Sequence, residues 1–574
     1  MILHTLQVMD LTSLRAVVSE LSDELLPSRF EKAQQPSSQT LQLGFRTLSG
    51  LIWLEICWGA EAARLVRIPP PSRLGTGSTL AQQMQHCLRQ MALISIDQAG
   101  FERVVQLGFA SRPGEELQRC LVLELMGRHS NLLLLDQQRK VIAIGRQVRN
   151  HQSRVRPIST GDIYGEPPTM PGIAPSSKES LERWRERLCL VPNTVKKALQ
   201  SAYQGISPAL ALQLAGDNQA ESQLLLASSV RELNEGQWQD LHKRWLDWLN
   251  HLENDQFVLS FDGPTAYRVW GQSNYQETKP YKELGLALGF YYRQELCRKE
   301  FKRLDNELQQ RLGNWRRKEE MALMDQQQRL DASLQSSSYQ NKADAILCLP
   351  SPSKEQIDEA QKFYKTARKL RRATPAIQQR INHHKLRIQM IQGSESFLDN
   401  LRSAGWDTHE SLLNRLEELR KELDEFLAPT RLQQRINRDN SNQRPQPLQI
   451  STPGGLILQI GRNHRQNDWI SLRQAQQGDL WFHAQECPGS HVVLKTGDTR
   501  ADDEDIHLAA DMAAHFSRAR GNHHVPVVMV PAHHLQRIPG SIPGTVHYRG
   551  GEILWAQPDR GLQYLCSCSI NPLA

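Results

Sequence analysis

The chain lacks any apolar run long enough to span a bilayer: in 574 residues the longest stretches, such as Leu132 to Leu135, fall far short of the roughly 20 residues a membrane helix needs. Cysteine is scarce and poorly spaced for bridging. The nine cysteines are scattered from Cys57 to Cys568, none lies in a Cys-x-x-Cys pair, and only Cys566 and Cys568 are close in sequence. Such spacing predicts free thiols rather than a disulfide framework or a zinc ribbon. The first residues, MILHTLQVMDLTSLRAVVSEL, have no basic start, uninterrupted apolar core or small-residue cleavage site, because Asp10, Arg15 and Glu20 break them up. A cytoplasmic location is expected. Also missing are a P-loop, a dinucleotide fingerprint, a Gly-x-Ser-x-Gly elbow and an HExxH motif, so no catalytic machinery is predicted. The histidine pairs at 383–384, 523–524 and 533–534 do not change this. Adjacent residues on a strand point to opposite faces and cannot easily share an ion, so neither metal nor cofactor is expected.

What is present is length, charge and pattern. The chain exceeds what one hydrophobic core usually supports, and 23% charged with 39% hydrophobic residues describes a multidomain globular protein. The net charge is +7, which suits nucleic acid where it is clustered. It is clustered in QKFYKTARKLRRA, where Lys362, Lys365, Arg368, Lys369, Arg371 and Arg372 occur without an acid. The tract fits a solvated helix face as well as an RNA contact.

The pattern predicts an α+β multidomain architecture: a mixed N-terminal domain, a helix-hairpin-helix module, a long antiparallel coiled coil and a C-terminal α+β domain. Residues 1–177 combine helical stretches at Leu11 to Leu26 and Thr79 to Met91 with hairpins from Leu41 and from Leu121 to Val148. Residues 178–260 read as short helices. Within them QGISPALALQLAG has the form of a helix-hairpin-helix turn, whose backbone amides can hold a phosphate, and equally of a plain helical connection. Residues 281–432 predict the coiled coil, with its tip near 335–354. Its first arm is marked by Phe301, Leu304, Leu308, Leu312 and Trp315, and its second is a proline-free tract from Ala376 to Ala428 with Leu412, Leu416, Leu419, Leu423 and Phe426. A polar linker at 436–449 leads into the last domain, 445–574, with its Gly550-Gly551 hairpin and one helix at Glu504 to Arg518.

Three further groups of residues carry binding chemistry. In ELMGRHSNLLLLD, Arg128, His129, Ser130 and Asn131 place a guanidinium, an imidazole, a hydroxyl and an amide at a turn after Gly127, a set able to grip phosphate and ribose or to fix its own backbone. In GRNHRQND, Arg462, Asn463, Gln466 and Asn467 are RNA-compatible donors. In DLWFHAQECPGSHVV, Trp481, Phe482 and His483 could stack on a base, with one of the alternating Trp481 and Phe482 expected in the core, and Ser490 and His491 stand nearby. A mixed domain followed by a helix-hairpin-helix also resembles the formamidopyrimidine-DNA glycosylases. That chemistry needs an N-terminal proline and a four-cysteine zinc finger, and this chain begins Met1-Ile2-Leu3 and has no such finger.

The phrases FEKAQQP, GFER, MGRHSN and RVRPISTGDIYGEPP, then AQKFYKTARKLRRA, and finally GRN..QND, DLWFH, PGSHVV, AADMAAHFS and IPGSIPGTVHY occur in this order along nearly the whole chain. In this the chain resembles the NFACT family, whose bacterial members are ribosome quality-control factors often described as fibronectin-binding. The resemblance implies a non-enzymatic factor, monomeric on the ribosome, that binds large ribosomal subunits obstructed by peptidyl-tRNA. It implies recruitment of alanyl-tRNA and untemplated C-terminal alanine tailing of the stalled chain. On this reading Glu102, Arg103 and Arg128 to Asn131 meet tRNA, the basic tract at 362–372 meets ribosomal RNA, and the C-terminal candidates, Ser490 and His491 included, meet RNA. There are departures. Glu102-Arg103 stands where tailing members carry Asp-Arg, HHLQRIPGSIPG has Arg537 as its one fixed cation, and MQHCLRQ replaces a more basic phrase. The alternatives are an RNA or ribosome binder without tailing, and a matrix-binding adhesin.

Overall fold

In the computed structural model, residues 6–73, 78–149, 151, 153, 156–261, 266–271, 283–405, 407–427, 444–497, 499–538 and 543–569 are described. Most of the expected linker, 436–443, lies outside them, as do 428–432 of the expected coiled coil and 539–542 of the IPGSIPG phrase. The protein is α+β, and its contacts divide it into two compact units, Met1–Leu296 and Cys297–Ala574.

The first unit opens with α1, Leu11–Leu25, whose N-terminal amide at Ser13 is capped by Asp10. Strands β1 (Ser28–Ser37), β2 (Thr40–Arg46), β3 (Leu51–Cys57) and β4 (Arg64–Ile68) follow, then α2 (Thr79–Cys87). Next come β5 (Ala92–Gln98), β6 (Val104–Ala110), β7 (Arg119–Glu124), β8 (Asn131–Leu135) and β9 (Val141–Ile144). They form one nine-stranded sheet in the order β4-β3-β2-β1-β5-β6-β7-β8-β9, every pairing antiparallel. Helix α2 is shorter than its pattern suggests, because Gln90 turns left-handed at φ 64 just beyond it. Helices α3 (Leu181–Cys189), α4 (Val195–Ala202), α5 (Pro208–Ala215), α6 (Gln219–Ala227) and α7 (Glu235–Glu253) share the sheet's core through Trp184, Trp238, Trp245 and Trp248. The buried Trp248 Nε1 donates to Thr12 Oγ1 at 3.0 Å, which ties α7 to the first turn of α1. The two-residue strands β10 (Ser260–Phe261) and β11 (Tyr267–Arg268) complete this unit, together with the first turns of α8.

Helix α8 runs Leu284–Leu334, α9 Ser336–Leu347, α10 Lys354–Ser403 and α11 His409–Leu427. The second proline-free tract is not one arm. Helix α10 starts 22 residues before Ala376, runs through the exposed Pro375 and stops at Ser403. The chain then turns, so the heptad leucines Leu412 to Leu423 lie on a separate helix packed against Leu304, Leu308 and Leu312 of α8 and Ile391, Phe397 and Leu398 of α10. A proline at a solvent-facing helical position costs a hydrogen bond and bends the helix without ending it where neighbouring turns are held by packing.

The C-terminal sheet has the order β12 (Leu448–Ser451), β13 (Ile457–Ile460), β15 (Val492–Lys495), β14 (Leu480–Ala484), β16 (Val525–Pro531), β19 (Glu552–Ala556). Short α12 (His464–Trp469) precedes β14, while α13 (Asp503–His515) and α14 (Pro558–Ser569) are packed against each other and α13 covers one sheet face. On the other face Trp481, Val493, Val528 and Val530 pack with Ile470 and the hairpin of β17 (Leu535–Arg537) and β18 (Val546–Tyr548).

Candidate nucleic-acid interface

The pairing Val104↔Glu124 sets the start of β6 beside the end of β7, and Leu125 N donates to Arg103 O at 2.9 Å. The Glu102-Arg103 corner and the Gly127 turn therefore lie at the same end of the β6–β7 strand pair. Gly100 and Gly127 both take positive φ, +56° and +57°, which allows these tight reversals. Arg15 Nη2 holds the first by donating to Gly100 O at 2.7 Å. Glu102 Oε1 accepts from Met170 N at 2.9 Å, and its buried Oε2 has no hydrogen-bond partner. Arg103 is half-buried and its side chain has no hydrogen bond among the described residues. Burial depresses its pKa, and the carboxylates of Asp10 and Glu102 oppose that depression. A desolvated guanidinium with unused donors is a strong site for a phosphate or a base edge.

At the Gly127 turn the structure separates the four predicted residues. Arg128 and His129 are exposed, with Arg128 Nε donating to His129 Nε2 at 3.1 Å. Ser130 and Asn131 are buried and bonded within the chain: Ser130 Oγ accepts from Met126 N at 2.8 Å, and Asn131 Oδ1 accepts from Leu132 N at 3.0 Å and Arg146 N at 2.9 Å. They shape the turn rather than face solvent. Arg146 is a residue the sequence reading missed. It is exposed and donates from Nη1 to Arg128 O at 2.8 Å, beside a turn 18 residues away that only the pairing of β8 with β9 brings near.

Also missed is Arg156. It donates to both oxygens of the buried Glu124, at 2.9 and 2.7 Å, and Tyr164 OH donates to the same carboxylate at 2.9 Å. The QGISPALALQLAG turn, which fits a phosphate-holding amide nest or a plain helical connection, is closed. Gly205, at φ +78°, is buried, and a Cβ there would lie 2.5 Å from Leu11 Cδ2. Ser207 Oγ caps α5 at Leu210 N and donates to Asp10 Oδ2 at 2.7 Å.

The basic tract lies on α10. Lys362, Lys365, Arg368, Lys369, Arg371 and Arg372 are all exposed and none has an ion pair among the described residues; Arg371 donates to Gln340 Oε1 at 2.7 Å. The opposite face, Ala360, Phe363, Ala367 and Leu370, is turned inward, and Phe363 meets Tyr339 of α9 with centroids 6.0 Å apart. Six cations thus project from the solvent side of α10.

In the C-terminal sheet the side chains of Asn463, Gln466 and Asn467 are spent inside the chain, whereas Arg462 donates from Nη2 to Gln446 O at 3.2 Å and keeps Nε and Nη1 buried without a partner among the described residues. Asn463 caps α12 at Gln466 N, 2.8 Å, while Gln466 Oε1 accepts from Arg462 N at 3.0 Å and its Nε2 donates to Glu418 of α11 at 3.2 Å. Asn467 Oδ1 accepts from His491 N at 3.0 Å. Glu422 accepts from Arg465 N at 2.8 Å, and burial pushes its carboxyl up to about 7. Ser490 and His491 are buried; Ser490 Oγ is unpartnered, and His491 Nδ1 bonds Ser471 Oγ at 2.8 Å. Trp481 is buried, donates to Ser471 Oγ at 3.1 Å and stacks on His483, interplanar angle 11°. Burial lowers His464 and His483 to about 4 and His491 well below the ordinary range, so all three are neutral at pH 7.

The Glu102 corner, the Gly127 turn and the C-terminal sheet residues sit in segments that match known domains, and the basic tract of α10 lies between those segments. Residues 10–356 match the model of the NFACT N-terminal and middle domains, and residues 448–550 that of the NFACT protein RNA-binding domain. The chain belongs to the NFACT family. The first NFACT model takes in the Glu102 corner, the Gly127 turn and α8, and the second takes in the stacked Trp481–His483 pair. Similar curated proteins carry the name "Rqc2 homolog RqcH". That of Streptococcus suis is 26% identical over 95% of this chain and 97% of its own, and that of Bacillus subtilis 24% identical over 81% and 82%. Among solved structures, the C-terminal part of the fibronectin/fibrinogen-binding protein from Streptococcus suis aligns with 46% of this chain and 98% of its own at 28% identity, TM-score 0.38.

Proposed function

We propose that this NFACT protein is a ribosome quality-control factor that binds large ribosomal subunits obstructed by peptidyl-tRNA, recruits tRNA and promotes untemplated C-terminal tailing of the stalled chain. The amino acid is alanine and the tRNA alanyl-tRNA. The observation that carries the reading is the solvent face of α10, six cations without an ion pair, in a chain whose relatives are named RqcH and whose residues 448–550 match an RNA-binding domain. Lys362, Lys365, Arg368, Lys369, Arg371 and Arg372 meet ribosomal RNA phosphates. Arg103, Arg128 and His129 meet tRNA with Glu102, on a turn shaped by Ser130 and Asn131. The protein contributes position, the entropic part of catalysis, and bond formation belongs to the ribosome. It works in the cytoplasm as a monomer, and no helix among the described residues is long and apolar enough to cross a membrane.

The test is binding to purified large subunits across a salt series, with the six α10 cations replaced by glutamine. Each lost phosphate contact removes about 0.7–0.9 from the slope of log affinity against log salt. The six-fold variant is expected to flatten that slope by about 4 to 5. An unchanged slope would remove α10 from the interface.

One observation favours a second reading, an RNA binder without tailing. Glu102 is long enough to engage Met170 N, and that bond commits one carboxylate oxygen. If the bond withholds Glu102 from tRNA, Glu102→Asp raises tailing in a reconstituted reaction about tenfold or more. If Glu102 already serves, Glu102→Asp leaves tailing within about threefold, since such a difference is under ~1 kcal/mol.

A further inference from the structure

Between α10 and the sheet face that carries Trp481 lies a cleft of about 450 Å³, within the range of roughly 300–1,000 Å³ typical of small-molecule sites. Among the described residues no lysine or arginine lines it, and Glu486 at its rim is the one fixed charge. Such a cleft is poorly suited to a phosphate. Its walls are rings and amides. Trp481 forms the buried end of the stack with His483, which is half-buried and so the outer member. Tyr548 stands 5.7 Å from Trp481, ring centroid to centroid. Around these rings the side chains of Gln389, Gln392, Thr545 and Tyr548 make no hydrogen bond among the described residues, although all four line the cleft. The rim is also conformationally unusual, because Glu486 takes φ +53° without being glycine.

We propose that this cleft takes one unstacked nucleobase of single-stranded RNA, layered beyond His483 and read along its edge by Gln389, Gln392, Thr545 and Tyr548. A flat heteroaromatic ring with several donors and acceptors uses both features, the stack and the four idle polar groups, whereas an apolar peptide side chain would leave those groups unpaired. The neutral imidazoles fit this occupant, since they offer a donor or an acceptor without repelling or attracting a backbone charge. The backbone phosphates stay outside, where Lys385 projects one turn before Gln389 on the same exposed face of α10. The proposal rests on the RNA-binding reading above and adds to it the chemistry of one subsite.

The test uses the full chain and two kinds of probe. Saturation-transfer NMR is run with uridine, adenosine, ribose 5-phosphate and N-acetylphenylalaninamide, on the wild type and on Gln392→Trp, which fills the cleft from a helix surface. Affinity for a labelled single-stranded RNA dodecamer is measured on the same proteins and on Tyr548→Ala. Nucleoside signals that vanish in Gln392→Trp, with dodecamer affinity down roughly tenfold in both variants, are expected. Signals from ribose 5-phosphate or the amide in place of the nucleosides overturn the assignment. So does a dodecamer that binds the wild type and both variants alike, an outcome that leaves the RNA-binding reading standing. A wild type that does not bind the dodecamer at any salt overturns both.

Discussion

Replacing Arg156 by methionine is expected to lower the unfolding free energy of the unit 1–296 by about 3–5 kcal/mol, the cost of stranding a buried charge. The stranded group is Glu124, whose side chain is 2% exposed, against 21% for that of Arg156. Burial works against the charge of Arg156, but its two bonds to Glu124 more than offset that, and its pKa is raised. Tyr164, pushed up chiefly by burial and further by the Glu124 charge, stays protonated and cannot neutralise the carboxylate. Removing both partners behaves differently. Glu124→Leu combined with Arg156→Met is expected to recover most of the loss, since replacing a buried pair by apolar side chains costs little. Urea-gradient proteolysis of the full chain reads this, with fragments of the two units told apart by mass. An Arg156→Met protein within about 1 kcal/mol of wild type would show the pair to be worth no more than an exposed one.

Acidification from pH 7 to pH 5 is expected to destabilise the unit 297–574 through its buried histidines. Burial holds His464, His483 and His515 down to about 4, and His491 well below its ordinary range, whereas in the unfolded chain each titrates near 6.5. A depressed folded pKa means stability that is complete above pH 6.5 and is lost as pH falls from 6.5 through about 4. Each histidine contributes at most about 1.4 kcal/mol per pH unit in that window. Glu422 runs the other way. With its folded pKa raised to about 7, it takes up a proton in the folded state between pH 7 and 4.5 and offsets about one histidine. Glu418, also raised by burial, offsets part of another. The net loss between pH 7 and pH 5 is on the order of 3 kcal/mol. The same proteolysis at pH 7, 6 and 5 checks it: midpoints for fragments of 297–574 fall, and His491→Gln flattens the trend. Midpoints that hold steady across this range would contradict the histidine assignment.

Much of this was legible in the sequence, and the rest was hidden for identifiable reasons. Apolar runs bounded by turn residues gave the hairpins around Gly50 and around Asp136 to Lys140, because short apolar runs between turns fit strands buried in a sheet. The basic face of α10 was readable because six cations without an acid cannot be buried. Asn463, Gln466, Asn467, Ser130 and Asn131 looked like donors waiting for RNA. A polar side chain that closes a buried backbone group has the same letters as one that faces a ligand, and only burial separates them. Helix α11 hid behind heptad spacing that fits an arm as well as a helix folded back on it. Arg146 and Arg156 act through strand pairing and a loop closure that no local pattern encodes.

On the proposed function, this NFACT protein holds tRNA on an obstructed large subunit while the stalled chain is extended. The most direct measurement is to purify the tagged protein from cells after mild translational stress, sequence the RNA that comes with it and determine the C-terminal masses of attached nascent chains. Large-subunit ribosomal RNA, one enriched elongator tRNA and C-terminal alanine extensions are expected. Ribosomal RNA without tRNA or extensions would contradict the tailing role, and no RNA at all would contradict the whole reading.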